Sequence, residues 1–200
     1  RIICKLLRYV AEFLIMKIFF ETKEKLIFLL AAVCLLLITY CSRSFYPERS
    51  FPNIESQAEQ KKLKDFLDAG TGKVINTSNT SPDGIIKTAR QYLGVPHCMG
   101  GTTMKCIDCS GLLLAVFARH DIRLPHNSEE QARYGKIITG INELKKGDLV
   151  FFIRSYRTNR FITHSGIYMG NNEFIHTSSK VGVTITSLND PWWSEKFIFG

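Results

Sequence analysis

The sequence predicts an α+β fold in which helices pack on an antiparallel sheet. Apolar residues at helical spacing, together with one apolar run of helical length, occupy much of residues 83–134. After Gly147 the pattern changes to short apolar or alternating segments separated by turn residues. Because the helices come first and the strands follow them, we expect an α+β rather than an α/β architecture.

Helices are predicted in three places. The first begins near Asp83, carries apolar residues at helical spacing and ends before Gly94. The second covers residues 109–120 and is mostly apolar, with Asp108 in front of it as a good N-cap residue. The third is short and runs from Asn127 to Tyr134, where Asn127 or its neighbour supplies the cap.

The predicted strands lie in the C-terminal part of the chain. Gly170-Asn171-Asn172 reads as a tight turn between two of them, and the strand before this turn alternates as a half-buried strand does. The predicted strands are Asp148–Arg154, Phe161–Met169, Glu173–His176, Val181–Ser187 and Lys196–Phe199.

Residues 1–41 have the pattern of an export signal. The apolar core from Leu26 to Ile38 is shorter than the roughly twenty residues needed to span a bilayer, and it suits a signal peptide. Residues 1–15 precede the first methionine, Met16, and we interpret them as an upstream extension of the reading frame without a function of its own.

The end of this segment is similar to a bacterial lipoprotein signal. Ile38 lies three residues before Cys41, and polar residues follow the cysteine directly. In such signals the cysteine is lipidated and becomes the mature N-terminus, but Tyr40 stands where a small residue is usual. We expect lipidation of Cys41, with an uncleaved membrane anchor or simple secretion as the alternatives.

Residues 42–82 are expected to form a polar linker that holds the following domain away from a membrane. They are rich in Ser, Asn, Glu and Lys, and only residues 57–67 have the pattern of a short polar helix. A single domain then occupies residues 83–200.

The formal net charge of +8 favours anionic partners such as a cell-wall polymer or lipid headgroups. Lysines and arginines are spread over the whole chain without a run of five or six. No recognition-helix pattern or interleaving of aromatic and basic residues accompanies them, so nucleic acid is not an expected partner.

Cys109 is the candidate nucleophile. It is the first residue of the predicted apolar helix, where unpaired backbone N–H groups and the helix dipole stabilise an anion, and we therefore expect its thiol to have a lowered pKa. A base can come from far along the chain, and His164 and His176 are the candidates. Their strands form a predicted hairpin, so their side chains can approach each other across the pair.

The same residues allow other interpretations. Cys106 and Cys109 form a C-x-x-C pair that also fits a redox dithiol or, with His97 and Cys98, part of a zinc site. A structural thiol at Cys109 and ordinary structural histidines are the remaining alternatives, and spacing alone does not choose among them.

The ordered motifs of residues 83–200 resemble the NlpC/P60 family of cell-wall peptidases. The resemblance rests on the whole set in its order and spacing, since no single motif is decisive. The motifs are Ala89-Arg90-Gln91-Tyr92-Leu93-Gly94-Val95-Pro96, Gly100-Gly101, Asp108-Cys109-Ser110-Gly111-Leu112, Leu124-Pro125, Gly147-Asp148-Leu149-Val150-Phe151-Phe152, His164-Ser165-Gly166-Ile167-Tyr168-Met169-Gly170 and Phe174-Ile175-His176.

The resemblance implies a papain-like fold, with the nucleophile-bearing helix packed on an antiparallel sheet. By position, Cys109 matches the family's nucleophile, His164 its general base and His176 the third residue that orients the base. The family hydrolyses amide bonds in peptidoglycan stem peptides, commonly between D-glutamate and a diamino acid and in some members at the crosslink. It needs no metal, and we expect no cofactor.

Several residues near the nucleophile have less certain expected roles. Many family members have a tyrosine before the glycine pair where this chain has His97, which we expect to donate a hydrogen bond to an oxyanion or to substrate. Asp108 is expected to cap the helix, and the backbone N–H of Ser110 is expected to help hold the oxyanion. Cys98 and Cys106 are expected to form a disulfide, the alternative being an inactivating bond from Cys106 to Cys109.

The function predicted from the sequence is that of an exported, membrane-anchored cysteine peptidase of the bacterial cell envelope, acting as a monomer. An amidase or acyltransferase of the same fold and a non-catalytic wall-binding module are the alternatives. The Trp192-Trp193 pair is either part of the core or a glycan-binding rim.

Overall fold

A computed structural model describes residues 51–77 and 79–200 of the chain, together with Val10. The expected signal segment and Cys41 lie outside the described residues. Within the described part, no helix combines the length and the apolar composition that crossing a bilayer requires. All elements discussed below belong to the second of the two units into which the chain divides, Ser50–Gly200.

The helices begin at capping side chains that accept hydrogen bonds from the first helical N–H groups. Asp108 and Asn127 cap the second and third predicted helices, as the sequence indicates. The helices are α1 Gln57–Asp68, α2 Pro82–Arg90, α3 Cys109–Ala118, α4 Ser128–Gln131 and α5 Pro191–Ser194, and a 3-10 turn covers Ile141–Glu143.

The helix that begins at Cys109 ends two residues earlier than predicted, at Ala118. Asp121 takes a left-handed conformation with φ of 60°, and the N–H of Ile122 reaches back to the carbonyl oxygen of Phe117 at 3.1 Å. This pattern closes a helix C-terminus by satisfying carbonyl groups that would otherwise lack partners.

A five-stranded antiparallel sheet follows in the order β4-β3-β2-β1-β5. Asn171 and Asn172 both have positive φ, at 54° and 58°, in the tight turn predicted between β2 and β3. The strands are β1 Leu149–Phe152, β2 His164–Gly170, β3 Glu173–Ser178, β4 Gly182–Ser187 and β5 Phe197–Phe199.

Helix α3 packs on β2 and β3, and this confirms the predicted α+β fold with a helix on an antiparallel sheet. The half-buried character predicted for β2 is wrong, because the strand is buried on both faces. Ile167 lies in the cluster beneath the helices, whereas Tyr168 packs with Phe152 and Phe174 on the other face. That second apolar layer is built from residues far along the chain, which a local pattern does not reveal.

The described part of the expected linker packs against the domain instead of extending away from it. Helix α1 matches the polar helix that the sequence indicates, but its Phe66 is only 3% exposed and packs against Phe161 and Phe199. Nη1 of Arg133 donates to the carbonyl oxygens of Phe66 and Gly70, both at 2.9 Å. The polar composition of this segment conceals a few apolar side chains that complete the core, namely Phe51, Ile54, Leu63, Phe66 and Leu67.

Candidate active site

Asp108 holds the start of helix α3 in place. Its Oδ1 accepts hydrogen bonds from the N–H of Gly111 at 2.7 Å and the hydroxyl of Ser110 at 2.9 Å, and its Oδ2 accepts from the N–H of Gly100 at 2.8 Å. Burial by itself would raise the pKa of Asp108. Hydrogen bonds instead hold this pKa below its ordinary value, and the bond from the N–H of Gly111 contributes most to the lowering. The prediction that Asp108 caps this helix is confirmed.

The start of α3 lies against the glycine pair at very short range. A Cβ on Gly111 would stand 2.0 Å from the carbonyl oxygen of Gly101, and a Cβ on Gly101 would stand 2.4 Å from the sulfur of Cys98. Neither distance leaves room for a side chain, so both positions require glycine. The glycine pair thereby lets the loop 98–106 reach the residues around Cys109.

Cys98 and Cys106 form a disulfide that closes this loop, as expected. The alternative bond from Cys106 to Cys109 is wrong, and Cys109 is the free cysteine of the described residues. Because two of the four potential ligands are joined to each other, the zinc interpretation fails. The redox-dithiol interpretation fails for the same reason, since Cys106 is not available to pair with Cys109.

The sulfur of Cys109 lies among polar groups from three elements. Oγ of Ser128, in α4, is 3.6 Å from the sulfur, and the backbone N–H groups of Ser110 and Ser165 favour a negative charge on it. Burial nevertheless raises the pKa of the Cys109 thiol above its ordinary value, and the charge of Asp108 adds to the effect. The expectation of a lowered pKa is therefore wrong, because desolvation outweighs the hydrogen bonds and the helix start.

The two predicted histidines form a buried row that ends at a threonine. Nε2 of His164 is 2.9 Å from Nδ1 of His176, and Nε2 of His176 is 3.0 Å from Oγ1 of Thr186. Burial lowers the pKa of His176 to about 3. Burial also places the pKa of His164 well below its ordinary value, and the neighbouring His176 and His97 lower it further. Both rings are therefore neutral at neutral pH.

Two opposite proton orders satisfy this row of hydrogen bonds, because each neutral imidazole and the threonine hydroxyl can both donate and accept. In one of them Nε2 of His164 donates to Nδ1 of His176, and Nε2 of His176 then donates to Thr186. In this arrangement Nδ1 of His164 has a free lone pair. This arrangement therefore prepares His164 to accept a proton at the nitrogen that faces away from His176.

Cys109 and His164 open onto one cavity of about 820 Å³. His97, Asp108 and Ser110 also line it, whereas His176 lies behind His164 and is only 1% exposed. The structure thus brings together the residues selected from the sequence, including His97, which helps to lower the pKa of His164.

The two tryptophans of the pair have different environments. Trp193 packs against the rings of His164 and His176, with centroid distances of 4.8 and 4.6 Å. Trp192 is 46% exposed and lines the cavity. Trp193 is therefore a support for the histidine row, and Trp192 belongs to the rim.

Four polar residues of the site were not selected from the sequence, namely His126, Ser128, Ser165 and Thr186. His126 lies 3.1 and 3.2 Å from the two carboxylate oxygens of Asp108, through its Nε2, and it lines the cavity. Its position directly after Leu124-Pro125, a motif of the resemblance, was the available signal. Thr186 carried no such signal, because threonine is common in strands.

We expect the resting enzyme to hold a neutral thiol beside a neutral imidazole. The difference in ultraviolet thiolate absorbance between the protein and its Cys109→Ala variant should be absent at neutral pH. It should appear only above pH 9.0, the ordinary value for a cysteine, because burial disfavours the thiolate. A thiolate difference signal already present at neutral pH would show a preformed ion pair instead.

Comparison with known proteins gives one consistent result. The profile of the NlpC/P60 family matches residues 94–199. The probable endopeptidase NlpC homolog of Haemophilus influenzae is 41% identical over 108 residues, which are 54% of this chain and 55% of that protein. The murein DD-endopeptidase MepS/murein LD-carboxypeptidase of Escherichia coli is 34% identical over 163 residues, which cover 80% of this chain and 83% of that protein.

A solved structure agrees with these sequence matches. The crystal structure of an NlpC/P60 family protein from Bacillus cereus has a TM-score of 0.55 and 30% sequence identity, and the match covers 60% of this chain and 39% of that one. The matched region contains the described helices and strands that carry the cysteine and the histidines. The chain belongs to the NlpC/P60 family.

Proposed function

We propose that this protein is a cysteine peptidase that hydrolyses amide bonds in the stem peptides of peptidoglycan. The observation that carries the proposal is the free thiol of Cys109, which shares a cavity with the buried base His164. The relative from Escherichia coli is named a murein DD-endopeptidase and murein LD-carboxypeptidase. Membership of the same family supports the same class of substrate and reaction.

In the proposed mechanism, Nδ1 of His164 takes the proton of the Cys109 thiol as the sulfur attacks the amide carbonyl carbon. The tetrahedral intermediate then collapses as the protonated His164 gives its proton to the leaving amine, and a thioester remains. Water, deprotonated by the same ring, hydrolyses the thioester and regenerates the thiol. Proton transfer during the attack fits a thiol and an imidazole that are both neutral beforehand. The pKa of Cys109 is raised and the pKa of His164 is lowered, so both shifts disfavour charged forms before substrate binds.

The negative charge on the carbonyl oxygen needs hydrogen-bond donors near the sulfur. The backbone N–H of Ser110 already favours a negative charge on the sulfur, and this supports a role for it in binding the oxyanion. His97 lines the same cavity and is the candidate side-chain donor. In this proposal Asp108 acts on neither oxyanion nor substrate, because its carboxylate is occupied in holding the loop and the helix start.

His176 and Thr186 position the base in this mechanism. His176 accepts the hydrogen bond of His164 and so keeps the lone pair of Nδ1 free for the thiol proton. Thr186 accepts the hydrogen bond that Nε2 of His176 donates in this arrangement. The row thus performs the orienting task that a third residue performs in other cysteine and serine hydrolases.

Two other functions of the same fold remain as second candidates. An amidase or acyltransferase would use the same cysteine and histidines on another acyl substrate, and a wall-binding module would use the cavity without chemistry. The prepared lone pair of His164 favours an enzyme over a binding module. The scissile bond is either the amide between D-glutamate and the diamino acid or the crosslink, and the masses of the products distinguish them.

The cell envelope is the proposed location. A disulfide between Cys98 and Cys106 is typical of proteins in an oxidising compartment, so it supports export. The apolar segment 26–38 followed by Cys41 supports attachment to the membrane through a lipid on that cysteine. Such an anchor would keep the enzyme at the envelope without a separate wall-binding domain.

Replacement of Cys109 by alanine should abolish digestion of purified peptidoglycan. Without the sulfur no acyl-enzyme forms, and we expect a loss of about 10⁴-fold or more in rate. Mass analysis of the soluble fragments measures this loss, and an unchanged melting temperature controls for folding. Digestion at the original rate by a folded Cys109→Ala protein would end the proposed mechanism.

Replacement of Thr186 by valine, which has nearly the same shape but no hydroxyl, should lower kcat roughly fivefold to tenfold. This range corresponds to the loss of one neutral hydrogen bond. KM should change little, because Thr186 does not line the cavity. Thr186→Ser is the matched control and should retain most of the activity. Equal activity of the valine and serine variants would show that the hydroxyl of Thr186 does not support the histidines.

Cys41 should carry the lipid when the full chain is expressed in a bacterium fed with a palmitate analogue that can be labelled. The wild-type protein should be labelled and sediment with membranes, and Cys41→Ala should lose the label. Cys34→Ser, a change in the preceding apolar segment, is the matched control and should keep it. Label on the Cys41→Ala protein would contradict lipidation at this position.

A further inference from the structure

Two positively charged side chains line the cavity that holds Cys109. Arg160 belongs to the loop between β1 and β2, and Lys180 belongs to the turn between β3 and β4. Both residues are exposed, and neither has an acidic side chain within 4.0 Å in the described part of the chain. By contrast, Arg154 at the start of the same loop is paired with Glu59 at 2.9 Å.

The topology explains why the two cations line the same cavity as the reactive residues. Since β2 runs antiparallel to both β1 and β3, the β1–β2 loop and the β3–β4 turn emerge at the same end of the sheet. His164, the first residue of β2, lies at that end as well. Arg160 and Lys180 are therefore placed by two separate connections beside the proposed base.

Among the described residues that line the cavity, these two cations outnumber the acidic side chains. Asp108 is the acidic residue that lines it, and both of its carboxylate oxygens already accept hydrogen bonds. Trp192, Tyr156 and Met99 contribute large apolar surfaces to the rim. Apolar walls lower the local dielectric and strengthen the attraction of a cation for a bound carboxylate.

We propose that Arg160 and Lys180 form an anion subsite for the free α-carboxylate of a γ-linked glutamyl residue whose side-chain carbonyl is attacked by Cys109. In a γ-glutamyl amide the side-chain carboxyl group is consumed by the scissile bond, so the α-carboxyl group of that residue remains free and charged. The inference rests on the proposed function and adds the chemical group that the cavity selects. It makes the charge of this group a determinant of specificity.

A carboxamide in place of this carboxylate has no negative charge, so the subsite discriminates against it. The decisive experiment compares two synthetic stem peptides that differ only at this group of the γ-linked glutamyl residue. The wild-type protein should cleave the carboxylate peptide with a kcat/KM about tenfold or more above that of the carboxamide peptide, as expected for a charge-assisted hydrogen bond. Added salt should reduce this preference, because both cations are exposed.

Variants with neutral side chains test whether the two cations cause the preference for the carboxylate peptide. Arg160→Gln and Lys180→Gln should each lower kcat/KM for the carboxylate peptide about tenfold while leaving the carboxamide peptide nearly unchanged. Arg123→Gln, an exposed cation outside the cavity, is the matched control and should change neither value. Arg160→Lys should keep a large part of the preference, because it retains the charge.

The outcomes separate this inference from the function on which it rests. Equal cleavage of both peptides by the wild type, or an unchanged preference in both neutral variants, would overturn the anion subsite. Cleavage of peptidoglycan at the crosslink with no cleavage of either peptide would also overturn it, while the peptidase function would stand. If the wild type released no more fragments from peptidoglycan than the Cys109→Ala variant, the proposed function itself would fall.

Discussion

The buried row of hydrogen bonds from His164 through His176 to Thr186 is the constraint on which the site depends. Burial keeps both rings neutral, and the threonine at the end of the row supplies a hydrogen-bond partner for Nε2 of His176. A base is thereby held ready without a carboxylate beside it. Trp193 closes the row from one side, so the same packing that stabilises the sheet also orients the base.

The start of helix α3 is a second fixed point, and neutral side chains hold it together with the carboxylate of Asp108. The hydroxyl of Thr177 in β3 donates to the carbonyl oxygen of Asp108 at 3.2 Å, and the amide of Gln131 donates to that of Ser110 at 2.8 Å. These bonds connect the helix start to the sheet and to α4. The thiol of Cys109 is therefore positioned by its surroundings, and those surroundings are too desolvated to ionise it in advance.

The fold class, the order of the elements and the cap at Asp108 could be predicted, because local patterns determine them. The burial of β2 on both faces and the packing of Phe66 could not be predicted, because both depend on apolar residues that are distant in the sequence. The same limit applies to the site. Cys109, His164 and His176 stand in recognisable motifs, whereas Thr186 and Arg160 become meaningful only when the sheet brings their segments to the histidine and to the cavity. The state of the thiol was predicted wrongly because the sequence shows the helix start but not the depth of burial.

Nitrogen NMR of the protein labelled at its histidines can establish whether this row exists, because nitrogen shifts report both the charge and the tautomer of each ring. At neutral pH the account predicts that His164 and His176 are both uncharged, with the proton on Nε2 in each ring. The signals can be assigned by the loss of one signal set in His164→Gln and of another in His176→Gln. A positively charged His164 at neutral pH, or a proton on its Nδ1, would contradict the account.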